Sequence, residues 1–188
     1  MRWRGAGWLK RTRWVRSPNQ GLRPPGSVVS LIVLHNISLP PEQFGGGWIE
    51  RFFLNRLDPA AHPYFASIAE LQVSAHFLVR RDGEVVQFVG CDRRAWHAGQ
   101  SAWRGRENCN DYSVGIELEG SDTQAFSTEQ YRALWPLIDA LRRHYPIEAI
   151  AGHSDVAPGR KSDPGPCFDW AALRERYSGL ALPGEMAA

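Results

Sequence analysis

Seven consecutive residues, Val28-Val29-Ser30-Leu31-Ile32-Val33-Leu34, form an almost unbroken β-branched and aliphatic run that stops at His35-Asn36. A run without polar alternation suits a strand buried on both faces, and such strands sit in sheets covered by helices on either side. Tyr112 to Glu119 instead alternates, with Val114, Ile116 and Leu118 on one face and Ser113, Gly115, Glu117 and Glu119 on the other. Ala75–Val79 and Glu84–Val89 flank Asp82-Gly83, a pair that supplies the backbone angles of a tight hairpin turn. Short helices are expected over 48–54 and 64–71. The longest one opens at Ser127-Thr128 and carries Leu134, Leu137, Ile138 and Leu141 at helical spacing. A further strand is expected over 147–151 and a last helix over 169–177. The loop from Ser154 to Pro166 is too rich in Pro and Gly for regular structure. Strands and helices intermingle, which gives the α/β class with a mixed central sheet flanked by helices.

The 188 residues suit one domain. We divide the chain into a basic N-terminal arm (1–24), a folded body (25–179) and a flexible tail (180–188). The arm's cations (Arg2, Arg4, Lys10, Arg11, Arg13, Arg16 and Arg23) are met by no acid before residue 42. No basic patch recurs downstream, so the arm reads as a solvated segment folding back on the body through Trp14-Val15. It is expected to contribute nothing to chemistry, and nucleic acid is not an expected partner. No apolar stretch is long enough for a membrane span. No apolar segment follows the N-terminal cations, so the chain does not read as exported. Three unpaired cysteines (Cys91, Cys109 and Cys167) fit a reducing compartment, and the expected location is the cytoplasm.

His35 and His153 each stand where an expected strand gives way to a loop, the usual place for sites in α/β sheets. The loop after His153 adds Asp155, Lys161 and Asp163, stiffened by three prolines; the alternative is a turn-rich surface connection with ordinary turn aspartates. Lys161 is one of only two lysines among 22 cationic residues. A composition that otherwise chooses arginine keeps lysine where a compact ammonium must face an oxyanion. Glu117 shares its strand face with Gly115, which leaves space beside the carboxylate. Glu119 has the same periodicity, and pattern alone does not choose between them. No nucleophile signature surrounds Cys167, and no Gly-x-Ser-x-Gly occurs.

The blocks Val33-Leu34-His35-Asn36-Ile37-Ser38, Val73-Ser74-Ala75-His76-Phe77-Leu78, Arg94-Ala95-Trp96-His97-Ala98-Gly99, Asn110 to Gly120, Gly152-His153 and Arg160 to Pro166 occur in this order along the chain. Together they resemble the zinc-dependent N-acetylmuramoyl-L-alanine amidases, in particular the cytoplasmic enzymes that act on 1,6-anhydro-muropeptides. The resemblance covers about residues 14–177. It implies an amidase or peptidoglycan-recognition-like sheet with a single catalytic zinc at one side, one ion per chain, held by His35, His153 and Asp163. It further implies Glu117 as general base and Lys161 as oxyanion partner, with Asn36, Trp96 and His97 contacting substrate. Ser154 stands where close relatives often have Cys. Two arginines associated with substrate contact in some relatives fall at Gln72 and Asn108, so peptide recognition is expected to differ.

The implied reaction is hydrolysis of the amide between (anhydro-)N-acetylmuramic acid and L-alanine in recycled muropeptides. The implied partner is that soluble substrate, with no obligate protein partner. The alternative is a non-catalytic peptidoglycan-fragment recognition module, which shares the fold but typically lacks a zinc ligand or a catalytic partner.

Overall fold

Strand alternation decides which side of the sheet carries chemistry. In a computed structural model, which describes residues 2–184, six strands form the central sheet. They are β1 (Arg13–Trp14), β2 (Leu31–Ile37), β3 (Phe77–Val79), β4 (Val85–Gln87), β5 (Ser113–Glu119) and β6 (Ala149–Gly152). Their order is β6-β2-β5-β3-β4-β1. The four strands from β6 to β3 are parallel, β4 returns antiparallel through the Asp82-Gly83 turn, and β1 joins the far edge parallel to β4. The sheet is therefore mixed and flanked by helices, as the sequence led us to expect.

The helices are α1 (Trp48–Phe53), α2 (Pro63–Ile68), α3 (Thr128–His144), α4 (His153–Val156) and α5 (Trp170–Arg176). Helix α3 starts at a reciprocal cap: the Ser127 hydroxyl accepts from the Gln130 N–H, and the Gln130 side chain accepts from the Ser127 N–H. Its apolar stripe (Leu134, Leu137, Ile138 and Leu141) packs on Ile32, Leu34, Val114, Ile116 and Leu118. Helices α1 and α2 pack with Leu78 and Val86 in a separate cluster. Period-2 alternation places His35 and Glu117 on the face turned away from α3.

Several expectations need correction. Strand β2 begins three residues later than the apolar run and continues through His35 to Ile37, because pairing with β5 is sustained to Glu119. The loop after His153 opens with one regular turn, α4, capped where the Asp155 carboxylate accepts from the Gly152 N–H at 2.7 Å. The chain past Gly179 stays packed: Leu180 and Leu182 are buried, and Ala181 bridges to Ala149. The rest of the expected tail, 185–188, lies outside the described residues.

The arm is built into the body more deeply than a solvated segment would be. Leu9, Ser17 and Asn19 are buried, whereas Arg2, Arg4, Lys10, Arg11 and Arg16 are exposed. Trp3 stacks on His144 at 4.7 Å, and β1 extends the sheet through Trp14. The Asn19 amide donates to the Asn55 side chain at 2.7 Å and to the Val73 carbonyl at 2.8 Å. Arg23 donates to the carbonyls of Cys91, Asn110, Asp111 and Ser113. No carboxylate among the described residues pairs with it, and burial pushes its pKa down. Deleting residues 1–22 should therefore lower the thermal midpoint markedly, an effect readable by calorimetry.

His76 is fully buried beside Arg23 and neutral. Its Nδ1 accepts from the Gly115 N–H at 3.0 Å, and its Nε2 lies 3.1 Å from the Arg93 carbonyl. Burial, with a smaller push from the Arg23 charge, lowers its pKa from 6.5 to about 3. Between those values the unfolded chain binds a proton that the folded chain does not, so stability falls as pH falls. His76→Gln should flatten the plot of unfolding free energy against pH in this window by about 1.4 kcal/mol per pH unit, one proton's worth. An unchanged slope in chemical denaturation would place the acid sensitivity elsewhere.

Candidate metal centre and active-site cleft

Residues 117 and 35 lie in register on adjacent strands, β5 and β2, and residue 152, at the end of β6, is in register with Leu34. Three parallel strand ends thus deliver Glu117, His35 and His153 to one edge of the sheet. Asp163 reaches the same point from the following loop, whose course is fixed by a 2.9 Å bond from the Ser154 N–H to the Asp163 carbonyl. Gly152 is needed at this turn, since a Cβ there would meet Pro164 at 2.8 Å.

The donor atoms of His35, His153 and Asp163 form a triangle. His35 Nδ1 lies 3.0 Å from His153 Nδ1, and each of these nitrogens lies 3.0 Å from Asp163 Oδ2. Among the described residues this is the one group of three or more His, Cys, Asp or Glu side chains with metal-ligand spacing. The outer nitrogens decide what the triangle can hold. His153 Nε2 faces the Ala98 carbonyl at 3.2 Å, which only accepts, so the neutral ring carries its proton there and Nδ1 is a free lone pair. That lone pair then faces a carboxylate oxygen with no proton between them, an arrangement that a cation relieves. Two nitrogens and one oxygen suit zinc, and a tetrahedral ion with bonds of about 2.0–2.1 Å would separate its ligands only slightly more than the spacing seen. The residues fit the ion.

The electrostatics agree with this fit. Burial holds the His35 pKa down to about 4, so the ring is neutral and available as a ligand. Burial would raise the Asp163 pKa, but the His153 and His35 imidazoles beside it outweigh that and keep the group ionised. Glu117 is the opposite case: burial, aided by the Asp163 charge, raises its pKa well above the usual carboxylate range. Its Oε2 is buried without a hydrogen-bond partner. An uncompensated carboxylate oxygen is costly, and such costs concentrate where a group must act on something else.

A cleft of about 350 Å³ opens over this group. His35, Glu117, His153, Lys161 and Asp163 line it, together with Asn36, Trp96 and His97 and an apolar wall that includes Tyr64, Ile68 and Leu71. Every sequence-nominated site residue is therefore on one surface. Lys161 is exposed, and its ammonium makes no hydrogen bond or ion pair with the described residues. Asn36 donates to the Asp122 carboxylate at 2.6 Å, which fixes the orientation of its amide.

Two sequence readings change. Glu119 is not a surface residue: it is buried, with one oxygen accepting from the Gly45 N–H at 2.6 Å and the other from the Arg81 N–H at 3.1 Å. It clamps two loops and is not among the residues lining the cleft. The room above Gly115 is taken by His97, whose ring would lie 2.5 Å from a Cβ at that position. Both His97 ring nitrogens are engaged, Nδ1 with His35 Nε2 at 2.9 Å and Nε2 with the Ser113 hydroxyl at 3.1 Å. Sequence reasoning missed these partners because they come from three separate segments. The small-residue pair Ser113 and Gly115 on the Glu117 face was the available signal.

The sequence matches the family described as N-acetylmuramoyl-L-alanine amidase over residues 25–166. It is 56% identical over 170 residues to the 1,6-anhydro-N-acetylmuramyl-L-alanine amidase AmpD of Citrobacter freundii, spanning 89% of this chain and 91% of that protein. The crystal structure of a selenomethionine AmpD derivative superposes with a TM-score of 0.90 at 55% identity, covering 93% of this chain and 98% of the other. The amidase AmiD of Escherichia coli, solved with the substrate anhydro-N-acetylmuramic acid-L-Ala-D-γ-Glu-L-Lys, superposes with a TM-score of 0.60 at 30% identity, over 85% of this chain and 62% of that one.

The buried carboxylate yields a test independent of turnover. A carboxyl whose folded pKa is raised keeps a proton that the unfolded chain gives up, so above the ordinary carboxylate range it costs stability. Glu117→Gln in chelator-treated protein should therefore raise the melting temperature near pH 8 and have little effect near pH 4. Glu119→Ala should instead lower stability by about 1–3 kcal/mol, through two orphaned N–H groups.

Proposed function

The chain belongs to the N-acetylmuramoyl-L-alanine amidase family, and from that membership we propose that it hydrolyses the amide joining 1,6-anhydro-N-acetylmuramic acid to L-alanine in recycled muropeptides. Its similarity to AmpD along nearly the full length of both chains supports this substrate, and the cytoplasm is where such soluble fragments would be met. No described helix is long and apolar enough to cross a membrane. The observation that carries the reading is the 3.0 Å triangle of His35, His153 and Asp163 donors in the same cleft as a buried, unpartnered Glu117.

In this reading His35, His153 and Asp163 hold one zinc ion. When bound, zinc supplies a Lewis acid that makes water more acidic and polarises the substrate carbonyl. Glu117, whose proton affinity burial raises, acts as the carboxylate and takes a proton from the attacking water. The water oxygen adds to the lactyl carbonyl carbon, and negative charge gathers on the carbonyl oxygen. The unpaired ammonium of Lys161 faces that oxygen and stabilises it. As the carbon–nitrogen bond breaks, Glu117 returns the proton to the departing α-amino group of L-alanine. The products are the free peptide amine and the lactyl carboxylic acid, which gives its proton to solvent or to the amine. Trp96 and Asn36 contact the substrate along the cleft, while His97, with both ring nitrogens bonded to protein, has only its ring face to offer.

Mass spectrometry of anhydro-muropeptides incubated with zinc-loaded protein tests the assignment. Release of the intact stem peptide is expected, and binding without cleavage would instead favour a recognition module. Glu117→Gln should retain zinc while losing roughly two to four orders of magnitude in turnover, the usual worth of a general base. His35→Ala should lose stoichiometric zinc and activity together.

A further inference from the structure

Both histidines of the donor triangle depend on one short segment for their outer hydrogen bonds. His97 supplies the imidazole that meets His35 Nε2 at 2.9 Å, and the next residue, Ala98, supplies the carbonyl that meets His153 Nε2 at 3.2 Å. A metal-ligating histidine is aimed by the partner of its other nitrogen, so a shift of this segment would misdirect both rings together. Arg160 donates to the Ala98 carbonyl at 2.7 Å, and from behind one atom holds both N–H groups of the segment. Asn110 Oδ1 accepts from the backbone N–H groups of His97 at 3.1 Å and Ala98 at 2.9 Å.

Asn110 is well placed to act as a fixed point. Its side chain is buried, and Arg23 holds its carbonyl at 3.0 Å while also bonding the carbonyl of Asp111 at 2.9 Å. It is not among the residues lining the cleft, which separates its role from substrate contact. The His97 ring also packs closely on Gly115, where a Cβ would come within 2.5 Å of it. We propose that Asn110 is a positioning residue for the metal centre, aiming both histidine ligands through the backbone of His97 and Ala98. The inference rests on the metal reading given above, but concerns a residue, Asn110, that touches neither ion nor substrate.

The test is zinc affinity, measured by competition with a chromophoric chelator, with the visible spectrum of the cobalt-substituted protein as a second readout. Asn110→Leu removes the shared acceptor and should weaken zinc binding roughly 10- to 100-fold, the usual cost of losing an outer partner. It should also change the cobalt bands. Asn110→Asp keeps an acceptor oxygen in place and should restore affinity to within a few-fold. Because Asn110→Leu could fail to fold, the parallel pair His97→Phe and His97→Gln probes the same segment: phenylalanine has no acceptor for His35, whereas the glutamine oxygen has one. Weak binding by Phe and near-normal binding by Gln is expected. A folded Asn110→Leu protein with unchanged zinc affinity and cobalt spectrum would overturn the proposal, as would equal binding by the two His97 variants. Failure of the unmodified protein to bind stoichiometric zinc would instead overturn the metal reading itself.

Discussion

Three atoms that would each accept a proton or a cation are held 3.0 Å apart at the sheet edge. In its neutral form, the form that binds a metal, His153 cannot place a proton between its Nδ1 and Asp163 without giving up its bond to the Ala98 carbonyl. The concentration of lone pairs therefore asks for a cation, and much of the surrounding structure maintains that demand. Burial lowers the His35 pKa and keeps the ring neutral, while the two adjacent imidazoles keep Asp163 ionised. The stiff loop from α4 to Asp163 holds the oxygen in place with little ordering cost left to meet when an ion arrives.

The parallel register between β2 and β5 is the ruler that brings the proton-transfer group to the same place. His35 and Glu117 are cross-strand neighbours, so a slip of one residue in either strand would turn that strand's side chain toward α3. Two residues further along, Glu119 is committed to two loop N–H groups, which leaves Glu117 as the carboxylate facing the cleft. The fold tolerates the cost of an orphaned carboxylate oxygen and of a fully buried neutral His76 through dense packing elsewhere. This is the pattern expected where stability is traded for reactivity.

The parts legible in the sequence were those governed by local rules. The apolar run gave β2, Asp82-Gly83 gave the hairpin, Ser127-Thr128 gave the start of α3, and alternation gave the faces of β5. The relation of His35, His153 and Asp163 could not be read from spacing, since they come from two strand ends and a loop; the family resemblance supplied it. Gly115 was read as room for Glu117, but it makes room for His97, a contact between segments 18 residues apart that no local pattern encodes. The arm's return onto the body through Trp14 was legible, but the depth of its burial was not, for a similar reason. Its charges are conspicuous in the sequence, while the buried anchors Leu9, Ser17 and Asn19 become visible only once their distant partners are folded around them.

The most direct measurement is an anomalous difference map collected at the zinc absorption edge from crystals of the metal-loaded protein. One peak per chain is expected, within bonding distance of His35 Nδ1, His153 Nδ1 and Asp163 Oδ2. A map with no peak there, or with its strongest peak at Cys167 or on the exposed arginines of the arm, would contradict the central claim that this triangle is the metal site.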